Sequence, residues 1–408
     1  MPEKVYCALK KLTQIELDFL SILGSKLFLY PFIGRTKRVY VCYMLVCLLL
    51  IVTAAQLLTA LLVADVKEWI EIINVAPNLA VVLMALLKYT KVHVNRDLYK
   101  KIFEHFRDEL WDVISDSVEH QNIVTQYATK TKFISRFLIY YSIPLVIFVD
   151  SFPRIIMYLE REFLGSDDTE YLYPFDGWYP FDKVDWYYTV YLWESFMTMI
   201  VVVVYAFTNM IHSSYTLFIC LELKILGSSI QNLVTSEDIT NIANRTKLQE
   251  THGNIKRKLK TIIIRHQLLA QIVSEFDIVQ GDVTLANYLF GSVFLTLTIF
   301  SSTVVDNMYK SLRYFFMFCS LLIEVFFYCM IGQILTDDSD CLTDAIYSAD
   351  WPYANTETKM ALLIIMTRTQ RPFKYTAKGY IAMNLNSFSG VCSMSYQFFN
   401  LLRTAYSQ

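Results

Sequence analysis

The sequence predicts an all-α, polytopic membrane protein with seven transmembrane helices, and three observations carry that reading. Of 408 residues, 55% are hydrophobic, 15% aromatic and only 18% charged, where a soluble chain would carry about a quarter charged residues. Seven stretches are apolar enough and about long enough to cross a hydrocarbon core, which takes roughly 20 residues of helix. Lys plus Arg also alternates along the chain. Before, between and after those stretches the counts run 7, 1, 7, 2, 8, 2, 5 and 1, with Arg313 taken with the loop it borders. Because Lys and Arg concentrate in cytoplasmic loops, the N-terminus is expected in the cytoplasm and the C-terminus outside.

The elements follow in order. Residues 1–38 read as a cytoplasmic N-terminal segment. In it Ile15, Phe19, Ile22, Leu23 and Leu27 form a helical stripe ended by Pro31, expected to lie along the inner interface. No cleaved signal peptide is expected, since Glu3, Lys4, Lys10, Lys11, Glu16 and Asp18 interrupt any early apolar core. Residues 39–335 hold six spans, near 39–64, 70–89, 133–159, 187–220, 283–305 and 312–335. Between them, Ile102, Phe106, Leu110, Val113 and Ile114, and later Ile264, Leu268, Ile272, Phe276 and Val279, mark apolar helix faces in polar surroundings. These faces predict a cytoplasmic layer of helix extensions. Residues 336–408 should supply a cytoplasmic half-helix, a break at Arg368, Arg371, Pro372, Lys374 and Lys378, and a seventh span running to about 402.

Several function classes lack their residues. There is no Gly-rich phosphate loop, HExxH or GxSxG, and the six histidines are scattered without metal-ligand spacing. Eight cysteines show no CxxC pair and read as small packing residues. Hence no enzyme activity, metal or cofactor is expected, and with a net charge of −2 no nucleic-acid partner. The sequon Asn244-Arg245-Thr246 falls in a loop expected to be cytoplasmic, so it should go unused.

The outer half has the make-up of a binding site. The loop at 160–186 carries eight acidic residues against Arg161 and Lys183 and ends in YLYPFDGWYPFDKVDWYY, where Pro174, Gly177 and Pro180 would fold an aromatic lid back over the bundle. The fourth span offers Tyr188, Tyr191, Ser195 and Met199 on one face, and the third Phe148, Ser151, Phe152 and Ile155, made irregular by Pro144 and Pro153. Ile73, Ala76, Phe294, Thr298, Phe315 and Cys319 complete the candidate pocket from the second, fifth and sixth spans. Such a cavity suits a small volatile or semi-volatile organic. Burying about 300 Å² at roughly 25 cal/mol/Å² supplies about 7 kcal/mol gross, part of it offset by lost freedom. No Lys, Arg or carboxylate cluster stands in the outer half to receive a charged metabolite.

The final span is studded with amides and hydroxyls. Asn386, Gly390, Ser393, Gln397, Asn400 and Thr404 recur at spacings of four, three, four, three and four, one polar or small stripe from end to end. An unpaired amide or hydroxyl in lipid costs roughly 2 to 7 kcal/mol, so the stripe faces either a seam of interhelical hydrogen bonds or a water-filled pore.

The C-terminal third resembles the closing signature of insect odorant receptors. It has Ala345-Ile346-Tyr347 and Trp351, a Leu-rich half-helix before Arg368-Thr369-Gln370-Arg371-Pro372, then Thr376-Ala377, Ser387-Phe388, and a Ser-Tyr followed by Phe and Leu-Leu-Arg from Ser395 to Arg403. His266-Gln267 and Leu29-Tyr30-Pro31 are similar to further family landmarks, while Pro352, Gln397 and Asn400 depart from the pattern. The resemblance implies a multi-pass cell-membrane protein of the olfactory neuron dendrite. It also implies a ligand-gated, non-selective cation channel assembled as a heterotetramer with a shared odorant co-receptor subunit. The last helix would line the pore, with Leu401 at the hydrophobic constriction and Ala405 one turn beyond. The loop at 221–257 is short where the co-receptor has a long insertion, so the chain resembles an odorant-specific tuning subunit. A gustatory-receptor-type channel, or a G-protein-coupled receptor-like sensor, stays open as an alternative. A G-protein-coupled receptor would need the opposite orientation, and a transporter would need internal repeats.

Overall fold

The computed structural model of the chain describes residues 2–26, 37–63, 69–112, 114, 117–163, 171–175, 177–305 and 308–406. Helices dominate: α1 (Pro2–Lys26), α2 (Lys37–Val63), α3 (Trp69–Val94), α4 (Arg96–Glu104), α5 (Val118–Phe163), α6 (Tyr187–Gln231), α7 (Ser236–Ala243), α8 (Leu248–Val304), α9 (Met308–Ser348), α10 (Thr356–Thr369) and α11 (Leu385–Tyr406). Two-residue strands β1 (Thr376–Ala377) and β2 (Ile381–Ala382) form an antiparallel hairpin between α10 and α11.

Among the described residues, six helices are long and apolar enough to cross a membrane; α2, α3, α5, α6, α8 and α9 supply them. The seventh, α11, has a span's length at 22 residues but not its hydropathy. Several helices far exceed a bilayer. At 57 residues, α8 is about 85 Å long against a hydrocarbon core of about 30 Å, so the fourth and fifth spans run past the limits expected at 220 and 283. α5 continues as helix through both Pro144 and Pro153. Each proline removes one hydrogen bond, and the ladder on either side holds the helix.

The helix extensions form the core, with α6 at its centre. Every residue of α6 from Phe207 to Leu223 is buried, as befits a helix packed on all sides. Around it Ile102, Phe106, Leu110, Ile114, Ile272 and Phe276 are buried, whereas Ile264 is exposed and Val113 lies outside the described residues. α1 packs on α5, with the Arg136 guanidinium 3.9 Å from the Phe19 ring, and it buries Leu17 and Leu20 while leaving Ile15 and Ile22 exposed. The expected stripe therefore splits between protein and surroundings; Leu27 and Pro31 lie outside the described residues.

The break before α11 is built by the hairpin. Lys378 and Gly379 take left-handed φ values of 51° and 78° to turn it, and the Asp277 carboxylate on α8 accepts from the Thr376 backbone N–H (2.6 Å) and hydroxyl (2.8 Å).

Candidate functional site

A two-lobed cavity lies within the bundle. Its outer lobe, about 180 Å³, is enclosed by Thr53 and Leu57 of α2, Val81 and Val82 of α3, Phe148 and Phe152 of α5, Met197 and Val201 of α6, and Tyr314 and Met317 of α9. The 171–186 loop contributes Pro174 and Phe175 to the same lobe. A deeper lobe of about 150 Å³ shares Val81, Leu145, Val201, Val202, Met317 and Ser320 with the first and adds Asn287, Phe290, Gly291 and Phe294 of α8.

The loop folds back as a lid because α6 holds it with a buried acid. Glu194 is fully buried, and its carboxylate accepts from the Phe175 N–H (2.9 Å), the Gly177 N–H (3.4 Å) and the Tyr179 hydroxyl (3.2 Å). Gln56 of α2 adds a second tie, its side-chain oxygen accepting from the Trp193 indole (3.1 Å) and its backbone carbonyl from the Trp178 N–H (3.4 Å). Tyr173, Tyr179, Tyr187, Val190 and Tyr191 pack together beneath the loop.

The floor of the deeper lobe is polar and internally paired. Lys88, buried in α3, bonds Glu324 of α9 and donates to Asn209 Oδ1 (2.9 Å); Asn209 Nδ2 donates to the other Glu324 oxygen (2.7 Å). Tyr328 donates to Asn209 Oδ1 (3.2 Å), and the Tyr205 ring lies 4.1 Å from the ammonium. Helix faces alone gave no sign of this cluster or of Glu194, since each partner comes from a distant helix. Both sets are engaged with protein groups, and Arg313, which also lines the outer lobe, lies with its guanidinium 5.5 Å from the Tyr314 ring.

The candidate pocket residues scatter over several sites. Phe148 and Phe152 line the outer lobe and Phe294 the deeper one. Ser151, Ile155 and Cys319 instead line an open groove of about 1030 Å³ on the bundle's outer surface between α5 and α9. Phe148 stands at the wall between groove and cavity, its ring 4.5 Å from that of Phe152 and 4.2 Å from that of Phe316. Tyr188 is 78% exposed, and Met199 and Phe315 also point outward. Tyr191 is buried under the lid and donates its hydroxyl to the Asp150 carbonyl. Thr298 is buried and bonds back to the Phe294 carbonyl (2.6 Å). Ala76 and Ser195 are half-buried and line neither lobe, and the Ile73 side chain lies outside the described residues. On α6 the cavity face runs through Met197, Thr198, Val201, Val202 and Tyr205, turned away from the face carrying Tyr188 and Met199. Both faces are apolar, so periodicity does not separate them.

The α11 stripe behaves as one surface. Asn386, Gly390, Ser393, Gln397, Asn400, Leu401, Thr404 and Ala405 are all exposed, while Val391 and Ser395 on the opposite face are buried. That buried face makes interhelical hydrogen bonds to α8. The Ser395 hydroxyl donates to the Ser292 carbonyl (3.2 Å) and its carbonyl accepts from Thr296 (3.4 Å).

Known proteins share this fold. The fold matches the olfactory receptor OR5 of Machilis hrabei, solved alone and in complex with eugenol. The complex gives a TM-score of 0.78 at 15% identity, over 98% of this chain and 99% of that one. In sequence, putative odorant receptor 92a of Drosophila melanogaster is 24% identical over 83% of this chain and 80% of its own length. Odorant receptor 13a of the same fly is 20% identical over 82% and 81%. The 7tm Odorant receptor family model matches residues 68–396. This chain is a multi-pass membrane protein that belongs to the insect odorant receptor family.

Proposed function

We propose that this chain is an odorant-gated, non-selective cation channel subunit. It takes small apolar organic ligands into the two-lobed cavity and works with a shared co-receptor, its N-terminus in the cytoplasm and its α11 stripe facing a central pore. The observation that carries the reading is the pairing, in one chain, of an apolar lidded cavity with a polar helix face left exposed from end to end. That the Machilis hrabei receptor is solved in complex with eugenol supports a small organic ligand.

The geometry offers a path between the two. Asn287, Gly291 and Phe294 line the deeper lobe on α8, and on the same helix Ser292 and Thr296 hold α11 through Ser395. α9 lines both lobes and meets α11 where the Phe326 and Phe388 rings lie 5.3 Å apart. A ligand that spreads α8 and α9 therefore moves the backing of the pore helix. The shift is capped by the ligand's preference for the open state. Moving the equilibrium from 1:99 to 99:1 takes about 5.5 kcal/mol, a large share of what a small apolar ligand supplies.

The test is to record from cells expressing the chain with and without the co-receptor subunit while applying an odorant panel. Fast inward current that persists with G-proteins blocked is expected. Current that depends strictly on G-proteins overturns the channel, and an N-terminal tag reachable on intact cells overturns the orientation.

A further inference from the structure

One polar group of the cavity stands apart from the paired floor. Asn287 of α8 lines the deeper lobe, is only 7% exposed, and its side-chain Nδ2 has no hydrogen-bond partner among the described residues. The other polar side chains around that lobe are engaged. Lys88, Asn209 and Glu324 bond one another, Tyr205 donates to the Val81 carbonyl (3.3 Å), Tyr141 to the Ser320 hydroxyl (3.0 Å), and Ser142 to the Leu138 carbonyl (2.6 Å). The rest of the wall is aliphatic or aromatic.

We infer that Asn287 is the donor that selects ligands by chemical class: the deeper lobe takes an apolar frame bearing one uncharged hydrogen-bond acceptor, such as a ketone, ester, aldehyde or ether oxygen. The inference rests on the cavity being the ligand site and adds what that ligand must carry. A buried amide N–H without a partner has given up its water, so a ligand oxygen that meets it recovers a bond that a hydrocarbon cannot offer. A site of this kind discriminates against the analogue lacking the polar atom more sharply than an apolar wall separates two shapes. A carboxylate or ammonium is disfavoured, because Lys88 and Glu324 already neutralise each other and the remaining wall would leave the added charge unpaired.

The test measures binding, independently of gating. Purified chain in detergent is titrated with a ketone and with the hydrocarbon of the same carbon skeleton, for the wild type and for Asn287→Leu. The wild type is expected to bind the ketone roughly tenfold or more tightly, and Asn287→Leu to bind the two alike with its hydrocarbon affinity kept. Asn287→Ser, which retains a short donor, covers the case in which the leucine variant does not fold; it should keep part of the preference. A wild type that does not discriminate, or a leucine variant that still does, overturns the inference. A ketone preference without odorant-evoked current overturns the channel reading and supports this one.

Discussion

His105 occupies a five-residue π-helical turn just beyond α4 and sits between two carboxylates. Its Nδ1 lies 2.8 Å from Glu109 and its Nε2 2.8 Å from the fully buried Glu222, with the Arg265 guanidinium 3.8 Å from both acids. Burial by itself would lower the imidazole pKa, but the two carboxylates outweigh it and hold the pKa above its ordinary value. A histidine whose folded-state pKa is raised stabilises fully below its unfolded pKa of about 6.5 and loses that contribution as pH rises through the folded value. The wild type's melting-temperature advantage over His105→Asn should therefore shrink as pH is raised from about 6 toward 8.5. An equal slope in the variant would assign the pH effect elsewhere. The second carboxylate was not visible in the sequence, because His105 and Glu222 stand 117 positions apart.

Between elements, close approach decides which glycines matter. A Cβ at Gly332 of α9 would run into the Met383 carbonyl oxygen, where the chain leaves the hairpin for α11, and that neighbour is backbone rather than a yielding side chain. A Cβ at Gly390 of α11 would meet nothing within 4 Å. Gly332→Ala is expected to destabilise by about 1–3 kcal/mol, read as a lower melting temperature or reduced surface expression, while Gly390→Ala folds as the wild type does. Equal behaviour of the two would show that the hairpin does not bear on α9 as the structure has it. The interruption at this point was legible, since Arg368 to Pro372 cannot continue an apolar span, yet the hairpin's anchor on Asp277 was not.

For the whole molecule, the α11 stripe is an exposed surface from Asn386 to Ala405. Its hydroxyls and amides cannot face lipid without large cost, so it requires water or other subunits. If it lines an ion path, Gln397→Leu and Leu401→Ala should change conductance or ion permeation severalfold while leaving odorant preference nearly unchanged. Single-channel recording with a fixed ligand series separates the two effects. Altered ligand preference at unaltered conductance would move the stripe into a binding role.

One-dimensional pattern was enough for the features that depend on it: a chain that crosses a bilayer repeatedly, helices that run on beyond it, a lid rich in aromatics, a broken last helix and the polar face that helix keeps. Tertiary structure alone decided which sides of α3, α5, α6 and α9 enclose the cavity. It alone paired Lys88 with Glu324, 236 positions away, and left the Asn287 amide without a partner among the described residues. The physical reason is shared by all three. Lipid is as apolar as the interior of a helix bundle, so hydropathy marks both faces of a span alike, and only packing against a particular neighbour tells them apart.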